Sequence, residues 1–141
     1  MPEVTLVRGT VVTMNPSRSI IDDGAVAISG ATIVAVGPFT DVVAEHAGAV
    51  VVGSADDLVV PGYINAHQHL TGDRLIQSSI PDNLPPGDAI FSWAVPVHAE
   101  HQPADDLLSA TLTLLEGLGN GITTTVEAGT VAHPDQVAAA A

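Results

Sequence analysis

The sequence predicts an α/β fold made of a β-rich unit over residues 1–60 and a strand–helix–strand unit over residues 61–141. Up to about residue 60, short β-branched runs alternate with turns that contain Gly or Asp. Leucines recur at helical spacing between Pro103 and Gly119, and the β-branched run 122–126 follows directly. We therefore expect this helix to connect two parallel strands.

The first half of the β-rich unit predicts short strands that are separated by turns. Residues 4–7 and 11–14 predict two strands with a bend or bulge at Arg8 and Gly9 between them. Two turns are then predicted, at residues 15–18 and at residues 22–24.

The second half of this unit predicts a hairpin, a helix and two further strands. Residues 25–28 and 32–36 flank a Gly-containing loop, which is typical of a hairpin, and Gly37-Pro38 ends it. Residues 40–46 predict a short helix, with the Thr40 hydroxyl as its N-cap. Strands are predicted at 50–52 and 58–60, with a turn at 53–57 between them. This unit contains no catalytic constellation of its own.

Composition excludes several classes of partner and site. The 141 residues carry a formal net charge of -13, which would repel the phosphates of nucleic acids and anionic lipid surfaces. The chain has no cysteine, so disulfides and thiolate metal sites are excluded. The N-terminus lacks a basic start followed by an apolar core, and no apolar run approaches about 18 residues. We therefore predict a cytoplasmic location.

The sequence around two histidines contains the strongest functional signal. An apolar run enters a break at Pro61-Gly62, restarts as a short strand at Tyr63, and ends in His67 and His69. Alternate residues of a strand share one face, so these two imidazoles would lie about 6.5–7 Å apart at the backbone and could reach one metal ion. Gln68 would point to the other face. A bare His-x-His also arises by chance, but its place at a strand end before a long loop favours metal ligation.

The connection from residue 70 to residue 103 is long and rich in proline. Connections of more than about 15 residues are uncommon unless they are functional or disordered. Residues 88–95 contain Phe91 and Trp93 and predict a short helix or turn over the site. Trp93 could close a pocket around a planar ring, whereas we expect Phe91 to belong to the core.

The run Pro-Gly-Tyr-Ile-Asn-Ala-His-Gln-His at 61–69 resembles the first barrel strand of the metal-dependent amidohydrolase superfamily. A Val/Gly-rich β segment before it, and a helix followed by Gly-Ile-Thr-Thr-Thr after it, extend the resemblance over essentially the whole chain. Asn65 makes the chain most similar to the deaminase/chlorohydrolase branch, which includes methylthioadenosine/S-adenosylhomocysteine deaminases and cytosine deaminase-like hydrolases.

This resemblance implies a (β/α)8 TIM-type barrel that begins at residue 61, preceded by part of a small β-sandwich over residues 1–60. Because such a barrel needs about 250 residues, we expect the chain to be a truncated, N-terminal part of a longer protein. The helix-forming run 137–141, which has no stop signal after it, favours the same interpretation.

The resemblance also implies an activity and a cofactor. One divalent metal is expected, Zn²⁺ or alternatively Fe²⁺, held by His67 and His69. Further ligands and the proton-transfer groups would come from later strands, so no catalytic residue is expected before Ala141. The implied reaction is hydrolysis of a non-peptide C–N bond, by deamination of an aminated heterocycle or cyclic amidine through metal-bound hydroxide. The intact protein would take a small-molecule substrate and could form homo-oligomers.

Two other functions stay open. The same fold and metal chemistry serve hydrolytic dechlorination and cyclic-amide opening. A different class of function is a non-catalytic, β-rich binding module that uses these residues as they stand.

Other polar residues give weaker signals. For His98 and His101, near Glu100, a polar loop and helix entry is the favoured interpretation, and we do not assign them as ligands. His133 and Glu127 follow the second strand and could bind substrate, but a solvated loop and a loop-holding hydrogen bond are equally consistent with the sequence. Asp73 and Arg74 predict a surface ion pair.

Overall fold

The computed structural model describes residues 3–72, 79–129 and 131–141. The chain divides into two compact units, Met1–Pro61 and Gly62–Ala141. Each unit has its own sheet and its own apolar core. The predicted ion pair of Asp73 and Arg74 lies outside the described residues.

The N-terminal unit is a four-stranded sheet with one helix. Its strand order is β3-β2-β1-β4, with β1 antiparallel to β2 and parallel to β4. Leu6, Ala25, Ala27 and Val42 form its buried core. The elements are β1 (Val4–Val12), β2 (Ile20–Ser29), β3 (Thr32–Pro38), α1 (Phe39–Glu45) and β4 (Val50–Val59).

The predicted hairpin is confirmed, but the predicted turn at residues 22–24 is wrong. β2 and β3 pair antiparallel around Gly30, and the pairing ends at Pro38 as expected. The turn residues instead lie inside β2, where the register with β1 shifts between Gly9 and Val11. Asp23 has a φ of 44° at this point. Asp tolerates the left-handed region, so the residues that favour a turn here produce a β-bulge instead.

Two further N-terminal predictions need correction. The structure has a single strand at Val50–Val59, and its register with β1 shifts between Arg8 and Thr10, opposite the predicted turn at residues 53–57. Thr40 does not cap α1, because the helix begins at Phe39 and its N-cap is Pro38, two residues before Thr40. The Thr40 hydroxyl donates to Asp41 Oδ1 at 3.2 Å instead.

The C-terminal unit contains the predicted strand–helix–strand arrangement. Its two strands pair in parallel, as the sequence predicts. A helical segment over residues 86–100, called the 86–100 segment below, precedes the long helix. The elements are β5 (Tyr63–Gln68), α2 (Pro86–Asp88), a π-helix (Ala89–Ala94), α3 (Val95–Glu100), α4 (Pro103–Gly119), β6 (Ile122–Glu127) and α5 (Pro134–Ala140).

The long helix α4 packs on the chain that follows β5. A capping box between Gln102 and Asp105 begins the helix, and Gly121, with φ 79°, follows its end. Ala110 forms a small buried core with Leu70 and Val137. The leucines whose spacing predicts this helix are 37% to 62% exposed, so they form an open apolar face in the described part of the chain.

Phe91 does not belong to the core, contrary to the prediction. Its side chain is 73% exposed, because no described residue buries this side of the π-helix. Among the described residues, no helix is both long enough and apolar enough to cross a membrane. The sandwich and the closed barrel stay predictions.

Candidate metal centre

His67 and His69 lie at the end of β5 with their rings together. Their Nε2 atoms are 3.3 Å apart, and the rings meet edge to face at a centroid distance of 5.0 Å. His67 is exposed and His69 is half-buried. Gln68 lines a cavity of about 420 Å³ between the strands and α4 instead, consistent with the prediction that it points away from the pair.

The distance between the two ring nitrogens suits a shared zinc ion. Two nitrogens bound to one tetrahedral zinc at about 2.0–2.1 Å lie about 3.3–3.4 Å from each other. A long N–H···N hydrogen bond between the rings accounts for the same distance when no metal is bound. These two nitrogens fit a zinc ion, but they are one fewer than the three protein ligands of a usual catalytic zinc site. Within the described ranges, no group of three or more His, Cys, Asp or Glu side chains could hold an ion.

Asn65 is hydrogen-bonded to the backbone of His67 and to the side chain of Gln68. Its side-chain Oδ1 accepts the His67 N–H at 3.2 Å, and its Nδ2 donates to Gln68 Oε1 at 2.6 Å. One amide therefore holds two successive residues at the end of β5.

The turn after the pair is held from two sides. Glu127, at the end of β6, accepts the backbone N–H of Leu70 at 2.7 Å and that of Gly129 at 2.9 Å. On α4, the Ser109 hydroxyl donates to the Thr71 carbonyl at 2.9 Å and the Thr113 hydroxyl to the Leu70 carbonyl at 3.1 Å. The sequence leaves open whether Glu127 binds substrate or holds a loop by a hydrogen bond. The structure shows the hydrogen bonds that hold the loop.

His98, from the 86–100 segment, lies beside this turn. His98 and His69 both lie next to Gly72. The position that a Cβ would take at residue 72 is 3.4 Å from His98 Nε2 and 3.4 Å from the Cβ of His69. Burial lowers the pKa of His98, and the nearby His101 and His69 rings lower it further, whereas Asp106 and Glu127 act in the opposite sense. Burial and the neighbouring rings thus favour the neutral form of His98.

His101 and His133 meet at a buried carboxylate rather than at the His pair. Asp106 is fully buried, and its Oδ1 lies 2.8 Å from His101 Nδ1. Its Oδ2 accepts the His133 backbone N–H at 2.7 Å, while His133 Nε2 lies 2.9 Å from the His101 carbonyl. His101 lies in the break before α4, as the prediction of a polar loop and helix entry has it, but its side chain is only 9% exposed.

The structure therefore brings some of the sequence-predicted residues together. His67, His69 and Glu127 lie at the paired ends of β5 and β6, whereas His133 lies at the start of α5. Trp93 is 40% exposed within the π-helix, and its predicted role in substrate binding stays a prediction.

Sequence reasoning missed Asp106, Ser109 and Thr113. The signal was present, because these polar residues interrupt the leucines of an amphipathic helix. Ser109 and Thr113 bond the chain after β5, and Asp106 bonds His101 and His133. Polar side chains buried in this way are normally hydrogen-bonded.

Comparisons with known proteins agree with the arrangement of strands and helix. Residues 24–49 match the family model described as imidazolonepropionase-like composite domain, bacteria. A 5-methylthioadenosine/S-adenosylhomocysteine deaminase of Nitratidesulfovibrio vulgaris is 32% identical over 121 residues, which are 86% of this chain and 27% of the relative. The chain thus spans about a quarter of the length of this curated relative.

Two solved structures share the fold. An adenosine deaminase from Xanthomonas campestris with bound zinc superposes with a TM-score of 0.84 at 30% identity, over 99% of this chain and 32% of that one. An atrazine chlorohydrolase from Arthrobacter aurescens TC1 complexed with zinc gives a TM-score of 0.71 at 23% identity, over 96% and 32% of the two chains. The homologues of this chain therefore include methylthioadenosine/S-adenosylhomocysteine deaminases, and the resemblance to the amidohydrolase superfamily is confirmed.

Proposed function

We propose that this chain supplies two metal ligands, His67 and His69, to a hydrolase that acts on a non-peptide C–N bond. The reaction proposed first is deamination of an aminated heterocycle or cyclic amidine. The observation that carries the proposal is the 3.3 Å distance between the two Nε2 atoms at a parallel strand end. The deaminase names of the relatives support the choice of reaction.

The metal we propose is Zn²⁺, with Fe²⁺ as the alternative, because neutral imidazole suits both ions. A bound zinc ion supplies a nucleophile at neutral pH by lowering the pKa of water to about 7. The residues of this chain contribute orientation. Asn65 holds the His67 backbone, and Glu127 holds the Leu70 backbone next to His69. Two imidazoles leave a catalytic zinc short of its usual three protein ligands, so we propose that the intact protein provides the others.

Metal analysis of the intact protein tests the ligand proposal. We expect about one zinc per wild-type molecule and at least a tenfold loss of zinc affinity in His67→Ala and in His69→Ala. His46→Ala is the matched control, because His46 belongs to the N-terminal unit, whereas His67 and His69 belong to the C-terminal unit. Full zinc retention by the double variant His67→Ala/His69→Ala would overturn the proposal.

The leaving group identifies the reaction. Deamination of 5-methylthioadenosine or adenosine releases ammonia, whereas dechlorination of atrazine releases chloride. The second candidate, dechlorination, rests on the fold shared with the atrazine chlorohydrolase. Cyclic-amide opening, a further alternative, releases neither product. We expect ammonia release that depends on His67 and His69, and chloride release alone would favour the second candidate.

A further inference from the structure

A buried network of hydrogen bonds joins three elements of the C-terminal unit. It comprises His101 after α3, Asp106 in the first turns of α4, and His133 before α5. Asp106 is in contact with both other residues, and the His133 ring returns to the His101 carbonyl at 2.9 Å. We call these three residues the Asp106 network.

The Asp106 network determines where the end of the 86–100 segment lies. Within the described part of the chain, the His101 ring is linked by its Nδ1 to a carboxylate with no exposed surface. A buried carboxylate is stable only when hydrogen bonds replace its water, so Asp106 strongly favours the arrangement in which His101 and His133 both donate to it. His101 is therefore held in one position, and α3 ends at that position.

His98 is the link between this network and the candidate metal centre. It lies one helical turn before His101, and the two rings are in contact at a centroid distance of 5.2 Å. Its Nε2 lies beside Gly72, and the Cβ of His69 lies beside the same glycine. His98 Nδ1 is buried without a hydrogen-bond partner among the described residues. The ring is thus positioned by its neighbours, chiefly His101, rather than by a hydrogen bond from this nitrogen.

We propose that Asp106 is a positioning residue, which acts through His101 to hold His98 and the 86–100 segment beside the turn that follows His67 and His69. This inference rests on the proposed function. With the network intact, the segment is fixed before a substrate arrives, so ordering it does not reduce binding energy. Loss of the network weakens substrate binding, and the metal ligands stay in place because Asn65 and Glu127 hold them independently.

The test compares Asp106→Asn with Asp105→Asn in the intact protein. His101 and His133 meet different oxygens of Asp106. Asn replaces one of these oxygens by an NH2 donor, so one of the two hydrogen bonds is lost. Asp105→Asn is the matched control, because Asp105 caps the same helix by accepting the Gln102 N–H and makes no contact with the network. His101→Gln is the second variant if Asp106→Asn does not fold; it keeps a donor for Asp106 but removes the ring that packs on His98.

Two measurements decide the outcome. Amide hydrogen exchange in residues 86–100 is expected to rise at least tenfold in Asp106→Asn relative to Asp105→Asn. With 5-methylthioadenosine as the substrate, KM is expected to rise about tenfold while kcat changes less than threefold and zinc content stays at the wild-type value. A loss of stability alone would not produce this separation of KM from kcat.

Failure of this inference can be told apart from failure of the proposed function. Equal exchange rates in the two variants overturn the positioning role, whatever the activity. If the wild-type protein releases no ammonia from 5-methylthioadenosine and binds no zinc, the proposed function fails, and the exchange comparison alone decides whether Asp106 positions the segment.

Discussion

Glu127 and Leu70 join the ends of the two parallel strands of the C-terminal unit: the Glu127 carboxylate accepts the Leu70 N–H at 2.7 Å. The strands pair directly before this contact, at Gln68 and Glu127. The hydrogen bond therefore fixes the residue next to His69 relative to β6. A second hydrogen bond, from the Ala128 N–H to the Gln68 carbonyl at 2.9 Å, joins the same two strand ends.

Replacing Glu127 by Ala is expected to destabilise the protein and weaken its metal site. The N–H groups of Leu70 and Gly129 would lose their acceptor, which costs about 1–3 kcal/mol in the free energy of unfolding. Zinc affinity is expected to fall about tenfold, the usual effect of removing a group that orients ligands. Urea unfolding and zinc titration measure the two effects.

Glu127→Gln is the conservative variant in this experiment, and Glu100→Gln is its control. Gln retains one acceptor oxygen, so we expect smaller losses than in Glu127→Ala. Glu100 is exposed at the end of α3, and its variant is expected to behave as wild type. Unchanged stability and zinc affinity in Glu127→Ala would show that the carboxylate does not hold the strand end.

The ion pair of Arg8 and Asp23 is expected to stabilise the N-terminal sheet at its bulge. Arg8 Nε and Nη2 lie 2.6 Å and 2.9 Å from the two Asp23 oxygens, and the guanidinium lies 4.0 Å from the centroid of the Phe39 ring. The hydrogen bonds from Arg8 lower the pKa of Asp23. Arg8→Lys keeps the charge but loses the two-pronged contact, so its urea midpoint is expected to fall below that of wild type.

Asp23→Asn removes the negative charge of the same pair and keeps the shape of the side chain, so it measures the contribution of the charge. Asn tolerates the left-handed backbone of residue 23 as Asp does, so the variant does not add strain. Since the folded-state pKa of Asp23 is lowered, its stabilisation is present at neutral pH and is lost as pH falls through that pKa. We expect Asp23→Asn to remove this part of the acid sensitivity and Asp22→Asn to retain it. An equal effect of both variants would contradict a specific pair.

Much of the fold could be predicted because local patterns determine it. The hairpin around Gly30 and the parallel pair β5–β6 each follow from β-branched runs and their connections. Residues 22–24 show where this reasoning fails. Asp and Gly favour both a turn and a bulge, and pairing with Gly9 and Val11 across the sheet decides between them. That pairing is a long-range property that no local window contains.

The candidate site also has one part that the sequence predicts and another that it does not. Alternate positions at the end of β5 place His67 and His69 together, so their proximity could be predicted from the sequence. His101 contacts both His98 and Asp106 from the break between α3 and α4. These contacts depend on the non-helical backbone of His101, with ψ 133°, which the residue types alone do not specify. Phe91 was expected in the core on the basis of its residue type, but burial depends on what packs against it.

Gly62→Ala is expected to destabilise the start of β5. A Cβ at Gly62 would overlap the Thr123 side chain at the start of β6, and overpacking of this kind costs about 1–3 kcal/mol. Thr123→Ala removes two of the three clashing atoms, so the double variant should regain part of the loss. Thermal unfolding measures both. Gly119→Ala is the control, since a Cβ there meets no atom within 4 Å. A neutral Gly62→Ala would show that the strands can separate without penalty.

The dependence of protein stability on pH reports directly on the buried carboxylate of Asp106. Burial alone would raise the pKa of Asp106, but hydrogen bonds from His101 and the His133 backbone outweigh burial and lower it. The unfolded chain protonates near the ordinary Asp value of about 3.9. The stabilisation is therefore complete above that pH and is lost as pH falls from there through the folded-state pKa.

Asp106→Asn is thus expected to be less stable than wild type by about 1–3 kcal/mol at pH 7. The difference should shrink as pH falls below about 4, where wild type loses the stabilisation that the variant lacks. Urea unfolding at a series of pH values measures this convergence. Asp105→Asn keeps the Asp106 carboxylate, so its free energy of unfolding should change with pH as that of wild type does in this range. A constant offset between Asp106→Asn and wild type down to pH values well below 4 would mean that Asp106 is not held ionised by His101 and His133.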